Sequence, residues 1–274
     1  MKTRLLALPV LLLALSAAAQ AGFCESADDL LAKRYKAMKY YGSYSHAVDD
    51  MPAKVREERF EHAALEFMHA LKAHLSEEES WQCSLPVTDK EGLDISAAEN
   101  GKLRVFTWDK QTGGTEHRYA ALAQARHNGG TVLTDLPDGW TQWTFDDHYR
   151  YLGDVYGLSA NEVYGTSDYG ETLRLYQIHK QTGELVPLPI IQDRDNPKET
   201  ADALTYRYNR LKTDEDLESS NRYLYDKDSQ SFNYPVVGED GRITTRRTFY
   251  RYRHHSYLDK NKRRIHVHRF RFVR

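Results

Sequence analysis

LRVFTWDKQTG (residues 103–113) and LRLYQIHKQTG (residues 173–183) open alike on Leu-Arg and close alike on Lys-Gln-Thr-Gly, with Val/Leu and Phe/Tyr exchanged between them. In both, a run of strand character leads into four residues that pack a core poorly and turn a chain well. A glycine at the end supplies the positive φ that closes a hairpin with a bulge. A third stretch, RYLYDKDSQSFNYP (222–235), has the same layout, with a polar turn from Asp226 to Gln230 between two apolar runs. The near-repeat is either a site used twice or an architectural hairpin built several times. The turn chemistry favours the hairpin.

Outward from these copies the texture stays the same. Short apolar and aromatic runs alternate with turn residues every eight to twelve positions, which indicates antiparallel sheets and not βαβ units. Strands are expected near 103–108, 117–124, 130–135, 162–167, 172–179, 184–190, 203–209, 222–226, 231–236, 243–253 and 264–273. Residues 89–101 read as a linker or irregular strand and 193–202 as a polar loop. The nineteen tyrosines suit half-buried strands, with one end of each ring dry and the other wet.

The amino-terminal part is different. Residues 1–21 have Lys2 and Arg4, an apolar run from Leu5 to about Leu15, and Ala19-Gln20-Ala21. That is the pattern of a cleaved secretory signal peptide, too short to span a bilayer comfortably. Phe23 stands where a lipid-modification motif at Cys24 would need a small residue, so a soluble periplasmic or secreted protein is expected. Residues 22–88 form a helical unit. One helix is expected from an N-cap at Ser26, with Leu30, Leu31, Met38 and Tyr41 at helical spacing and Gly42 as a stop. A second is expected over 53–75, with Phe60, Ala64, Phe67, Met68, Leu71 and Leu75 on one stripe. Cys24 and Cys83 are the only cysteines, and in an oxidising compartment they should pair. The fold class is α+β and mostly β: a short helical unit, then an antiparallel β domain over 89–274, as a meander, sandwich or propeller-like arrangement.

The segment GKLRVFTWDKQTGGTEHRYAALAQAR (101–126) resembles a segment of a group of uncharacterised secreted bacterial proteins. The matching residues are Trp108, Asp109, Thr112, Gly113, Gly114, Thr115 and Gln124. FNYPVVGEDGRITTRRTFYRY (232–252) resembles their carboxyl-terminal part. The resemblance covers about the last 170 residues. It implies one continuous β domain and secretion, and implies no activity. Glu116 departs from it, standing where an apolar residue is expected.

Trp108, Asp109, Gly113, Gly114 and His117 are the densest cluster of unusual residues. They offer a stacking ring and open backbone for a ligand, or a core tryptophan and a carboxylate-capped turn. Catalytic signatures such as G-x-S-x-G, H-E-x-x-H or a P-loop are missing. A hydrolase would have to assemble a dispersed site from Trp108, Asp109 and His117 with Asp146, Asp147 and His148. His266 and His268 share a strand face and could meet His254 across a hairpin, a weak arrangement for Zn²⁺. Glu66 and His69 lack the second motif of a di-iron site. No metal and no cofactor is expected.

Charge carries the strongest signal. The chain has 38 basic and 40 acidic residues; without Lys2 and Arg4 these become 36 and 40, a net charge of −4. Residues 242–274 hold twelve Lys/Arg and one acid, Asp259. Such polarisation points to an anionic partner through Arg247, Arg251 and Arg253, or to internal neutralisation by the acidic segment 193–228. Nucleic acid does not fit a periplasmic setting. Acidic proteins, phospholipid headgroups and lipopolysaccharide phosphates do. The function expected is an exported binding protein of the inhibitor, immunity or envelope-accessory kind, the alternative being the dispersed-site hydrolase.

Overall fold

The computed structural model describes residues 7–112, 117–194, 196–214, 216, 222–258 and 262–273. Helix α1 (Ala7–Tyr41) lies against α2 (Ala53–Ser76), and a short α3 (Pro86–Glu91) follows a 3-10 turn over Glu78–Gln82. Leu31, Tyr35 and Met38 of α1 fall at i, i+4 and i+7, and Phe67, Leu71 and Leu75 of α2 at i, i+4 and i+8. All six are buried in one cluster, the stripe that helical periodicity demands. The expected helix start at Ser26 is corrected. The alanine-rich residues before it contain only Gly22 as a weak breaker, at about 1 kcal/mol, so the helix runs through Ser26 without a cap there. Asp28 of α1 instead caps α3 from outside: its carboxylate accepts from the amides of Val87 and Thr88 at 2.8 Å each. Cys24 and Cys83 form the expected disulfide.

Fifteen described strands form three sheets. The first is a meander of β1 (Leu93–Ala97), β2 (Leu103–Asp109), β3 (Tyr119–His127) and β4 (Gly130–Leu136). The second has β5 (Trp140–Tyr149), β6 (Gly153–Val163) and β7 (Asp168–Ile178) as a meander. Beyond β7 lies β11 (Ala203–Asn209), and β8 (Leu185–Pro187) pairs with the end of β7. The third joins the short β9 (Ile191–Gln192) and β10 (Thr200–Ala201) to β12 (Leu224–Asp226), β13 (Ser231–Val237), β14 (Ile243–Leu258) and β15 (Arg264–Val273), in the order β10-β9-β15-β14-β13-β12.

Side-chain alternation stacks these sheets. Phe106, Trp108 and Leu122 of the first sheet face the helices. Leu103, Val105, Ala121, Ala123 and Ala125, of opposite parity, face Tyr156, Leu158 and Tyr176 of the second. Leu173 and Leu175 on the other side of the second sheet meet Phe232, Tyr250 and Phe270 of the third. The order is helices, first sheet, second sheet, third sheet. Each fully buried Leu or Phe in these clusters contributes roughly 1.5–3 kcal/mol.

The two copies of the near-repeat are central strands, β2 and β7, of the first two sheets. In the second copy Gly183 takes φ +78° and sits so close to His127 and Val132 of the β3–β4 hairpin that a Cβ would collide. In the first copy β2 pairs with β3 through Asp109↔Tyr119, and Gln111 takes φ +56°; Gly113 and Gly114 lie outside the described residues.

Two corrections concern strands. β1 falls in the stretch expected as a linker or irregular strand and takes the second form; β5 and most of β6 occupy a stretch where no strand is expected before 162. β5 carries Asp146, Asp147 and His148, which suggest a turn. The two carboxylates reach groups of neighbouring layers: the Asn100 amide donates to Asp146 Oδ2 at 3.2 Å, leaving Oδ1 buried without a partner, and the Tyr225 hydroxyl donates to Asp147 at 2.5 Å. β6 carries Gly157 because the ring of Phe145 fills the place of a Cβ. The pairing of the last two strands is as expected but longer, reaching Leu258↔Arg264.

Candidate functional site

The third sheet ends the stack. Its inner face holds Tyr250, Tyr252, Phe270 and Phe272 against the second sheet. Residues of opposite parity on β14 and β15 therefore point away from the core. In register across the hairpin they are Phe249↔Val273, Arg251↔Arg271 and Arg253↔Arg269. Two pairs of arginines thus stand directly opposite one another, one pair two residues beyond the other, roughly 7 Å along the strands.

Like charges placed opposite on neighbouring strands destabilise a sheet, so an offset is needed. Among the described residues none of the four guanidiniums pairs with a carboxylate. Arg269 donates to the carbonyl of Pro197 at 3.1 Å. The Nε atoms of Arg251 and Arg271 are shut off from water and have no acceptor. Asp226 shares the row with Ser231, Arg251 and Arg271 through the register of β12–β13 and β13–β14. Its carboxylate accepts from the Ser229 hydroxyl at 2.6 Å and the Asp228 amide at 3.0 Å, which hold its pKa below the usual carboxylate value. Next to the arginine rows runs a row of apolar side chains at the surface: Leu224 (48 % exposed), Phe249 (44 %) and Val273 (41 %).

Arg247, further along β14, is used differently. Its guanidinium bonds to the Asn233 side chain and to the carbonyl of Arg222, and burial lowers its pKa. Arg251 and Arg253 belong to the ladder. Their partners Arg269 and Arg271 lie in HVHRFRF, where arginine alternates with phenylalanine; that alternation and the expected pairing of the last two strands place arginines on neighbouring strands, and the register sets which ones stand opposite.

The remaining candidates lie elsewhere and do not converge. Trp108 is buried against Phe67, ring centroids 5.7 Å apart. Asp109 accepts from the Gln111 amide at 2.7 Å and pairs with His117 Nδ1 at 2.5 Å, and the imidazole stacks on Tyr44. That is the capped-turn reading. Asp146 is buried, which raises its pKa, and Asp147 lies under Tyr225, whose hydroxyl also meets that of Tyr149 at 2.8 Å. His148 pairs with Asp154 at 2.7 Å beside Lys102 in a separate hollow of about 260 Å³. The six residues named for a dispersed site thus serve different surroundings.

His254, His266 and His268 do come together, on the inner face of the projecting hairpin. Their rings lie nearly parallel, His254 at 13° to His266 and 19° to His268, with Tyr151 stacked over His254 at 4.4 Å. His254 Nε2 meets His266 Nδ1 at 2.9 Å, and His268 Nδ1 meets the Tyr252 hydroxyl at 2.7 Å. Stacked imidazoles that bond to one another do not converge on a point, and among the described residues no group of three is placed to hold a metal. Burial, then the charges of His254 and His266, lowers the pKa of His268.

Sequence reasoning also missed a buried arginine. Arg104 lies between the helices and the first sheet, bonded to Gln124 Oε1 and to the carbonyls of Ser80 and Cys83. Gln124, singled out above only by resemblance, also donates to Leu75 O at 2.7 Å and Ser80 Oγ at 2.8 Å. No protein-family model, curated protein or solved structure matches this chain.

Proposed function

We propose that this chain is an exported interaction protein that holds an anionic partner on the outer face of its third sheet. The carrying observation is the pair of opposed arginine pairs, Arg251/Arg271 and Arg253/Arg269, none of which forms an ion pair with a carboxylate among the described residues, Asp226 acting on Arg251 only through its field. An anion between two guanidiniums removes their repulsion and gives planar, bidentate donors a matching acceptor. The amino-terminal pattern of residues 1–21 and the Cys24–Cys83 bridge support export, since disulfides persist in oxidising compartments. No helix among the described residues is long and apolar enough to cross a membrane.

The test is retention on heparin or phosphate resin at low salt, followed by a salt gradient. Despite a formal net charge of −2, the protein should bind and elute with salt, because exposed charges are screened beyond roughly 8 Å at physiological ionic strength. Changing all four arginines to glutamine should abolish retention. A wild-type protein that flows straight through, or a variant retained as strongly as wild type, removes the support for this reading.

A further inference from the structure

We infer that the anionic partner is a membrane surface rich in phosphate-bearing anionic lipids, on which the third sheet lies flat. This rests on the anion-binding reading just given and names its partner. Three features of the outer face lead there.

The first is the mixture of side chains. A surface made only to bind a soluble anion gains nothing from exposed apolar groups beside the cations. Here Leu224, Phe249 and Val273 lie exposed in one row across four strands, with Asn233 between Leu224 and Phe249, directly beside Arg251 and Arg271. Cations that reach headgroup phosphates next to apolar groups that enter the acyl boundary are the arrangement of a protein lying in a membrane interface.

The second is the identity of the cations. All four are arginine, whose weakly hydrated fork matches phosphate geometry. Arg251 and Arg271 each leave an Nε donor enclosed and without an acceptor. Buried donors are rarely left so, and a small turn of the two guanidiniums toward a phosphate held between them gives these donors an acceptor.

The third is polarity. With twelve basic residues and one acid in 242–274, the rest of the chain is strongly acidic. An anionic surface therefore attracts this face and repels the others, which sets the orientation as well as the affinity.

The test is co-sedimentation with phosphatidylcholine vesicles, with and without phosphatidylglycerol, run beside heparin retention. Wild type should partition onto the anionic vesicles only and leave them with added salt. One arginine near an anionic surface is worth about a factor of five in partitioning, so the R251Q/R271Q double variant should bind about 25-fold more weakly. Phe249→Ser should weaken vesicle binding several-fold while leaving heparin elution unchanged, a readout that charge alone does not move. Circular dichroism establishes that the variants fold, and R253Q/R269Q, one row on, serves if R251Q/R271Q does not. Retention on heparin without partitioning onto anionic vesicles overturns the lipid assignment and leaves the anion-binding reading standing. Failure to bind either overturns both. Vesicle binding unchanged in the arginine variant or in Phe249→Ser overturns the placement of the contact on this face.

Discussion

Replacing Arg104 with methionine should destabilise the protein by about 3–5 kcal/mol, the cost of leaving three buried oxygens without their donor less the relief of no longer burying a cation. Arg104 is buried and has no carboxylate beside it; its partners are oxygens of neutral groups. Nη1 donates to Cys83 O at 3.0 Å and Nη2 to Ser80 O at 2.9 Å; Nε and Nη2 both donate to Gln124 Oε1, at 2.9 and 2.6 Å. The guanidinium lies over Trp81 and Phe106, 4.9 and 5.1 Å from their ring centres. Methionine fills much of the space and keeps the ring contacts, but it leaves three oxygens without this donor, at about 1–3 kcal/mol for each one buried. Against that stands relief from burying a charge: burial, reinforced by Arg126, lowers the Arg104 pKa to about 10. The orphaned oxygens outweigh this gain because the group remains a cation at neutral pH with all its bonds made. Urea unfolding followed by tryptophan fluorescence gives the shift in midpoint, and an unchanged m-value shows that the unfolded state is comparable. Arg104→Lys keeps the charge, loses the planar fork and should recover less than half of the loss. A cost below about 1 kcal/mol for Arg104→Met would refute the reasoning, since it would mean that water or a small shift satisfies those carbonyls.

Two further predictions concern the bridge and a buried acid. Replacing Cys24 and Cys83 with serine opens a loop with a sequence separation of 59 and should cost about 4 kcal/mol on the chain-entropy account; thiol titration of the unreduced, unfolded wild type should find no free sulfhydryl. Glu171 is buried, accepts from the Tyr206 hydroxyl at 2.5 Å, and has its pKa raised from 4.5 by burial. A carboxyl with a raised folded pKa binds its proton more tightly in the native state. Its contribution is complete below pH 4.5 and is lost as pH rises through the folded value. The wild-type melting temperature should therefore carry a downward term as pH rises from 4.5, and Glu171→Gln should flatten that slope; parallel profiles for the two proteins would count against a proton on Glu171.

How much was legible in the sequence follows from where each residue finds its partners. The helical stripes, the disulfide and the terminal hairpin could be read because their signals are local: period 3.6 in Phe67, Leu71 and Leu75, a count of two cysteines, and arginine alternating with phenylalanine. β5 could not, because the donors that Asp146 and Asp147 meet are on Asn100 and Tyr225, residues 46 and 78 positions away. The start of α1 was misplaced because Ser26 looks like a cap, whereas a cap needs a preceding break, and Gly22 is too weak to supply it. The ladder was partly visible: alternation on both strands and their pairing put arginines side by side, but that Arg251 faces Arg271 and Arg253 faces Arg269 follows only from the register of β14 with β15. Arg104 left no sign at all, since a lone arginine in a strand looks the same whether it faces water or three buried oxygens.

The stacking order has a consequence for assembly. The helices end at Glu91, the first sheet occupies 93–136, most of the second 140–209, and the main strands of the third 224–273. Each layer is built largely from residues that follow those of the layer it covers, so a chain emerging amino end first can add one layer at a time to a surface already formed. The principal exceptions are β9 and β10, which leave the second segment early and wait at the edge for β15. Until β13 and β14 arrive, the side of the second sheet that carries Leu173 and Leu175 stays uncovered, and the cover is complete only with Phe270 of β15. That interval is when aggregation or capture by a chaperone competes most strongly with completion of the fold.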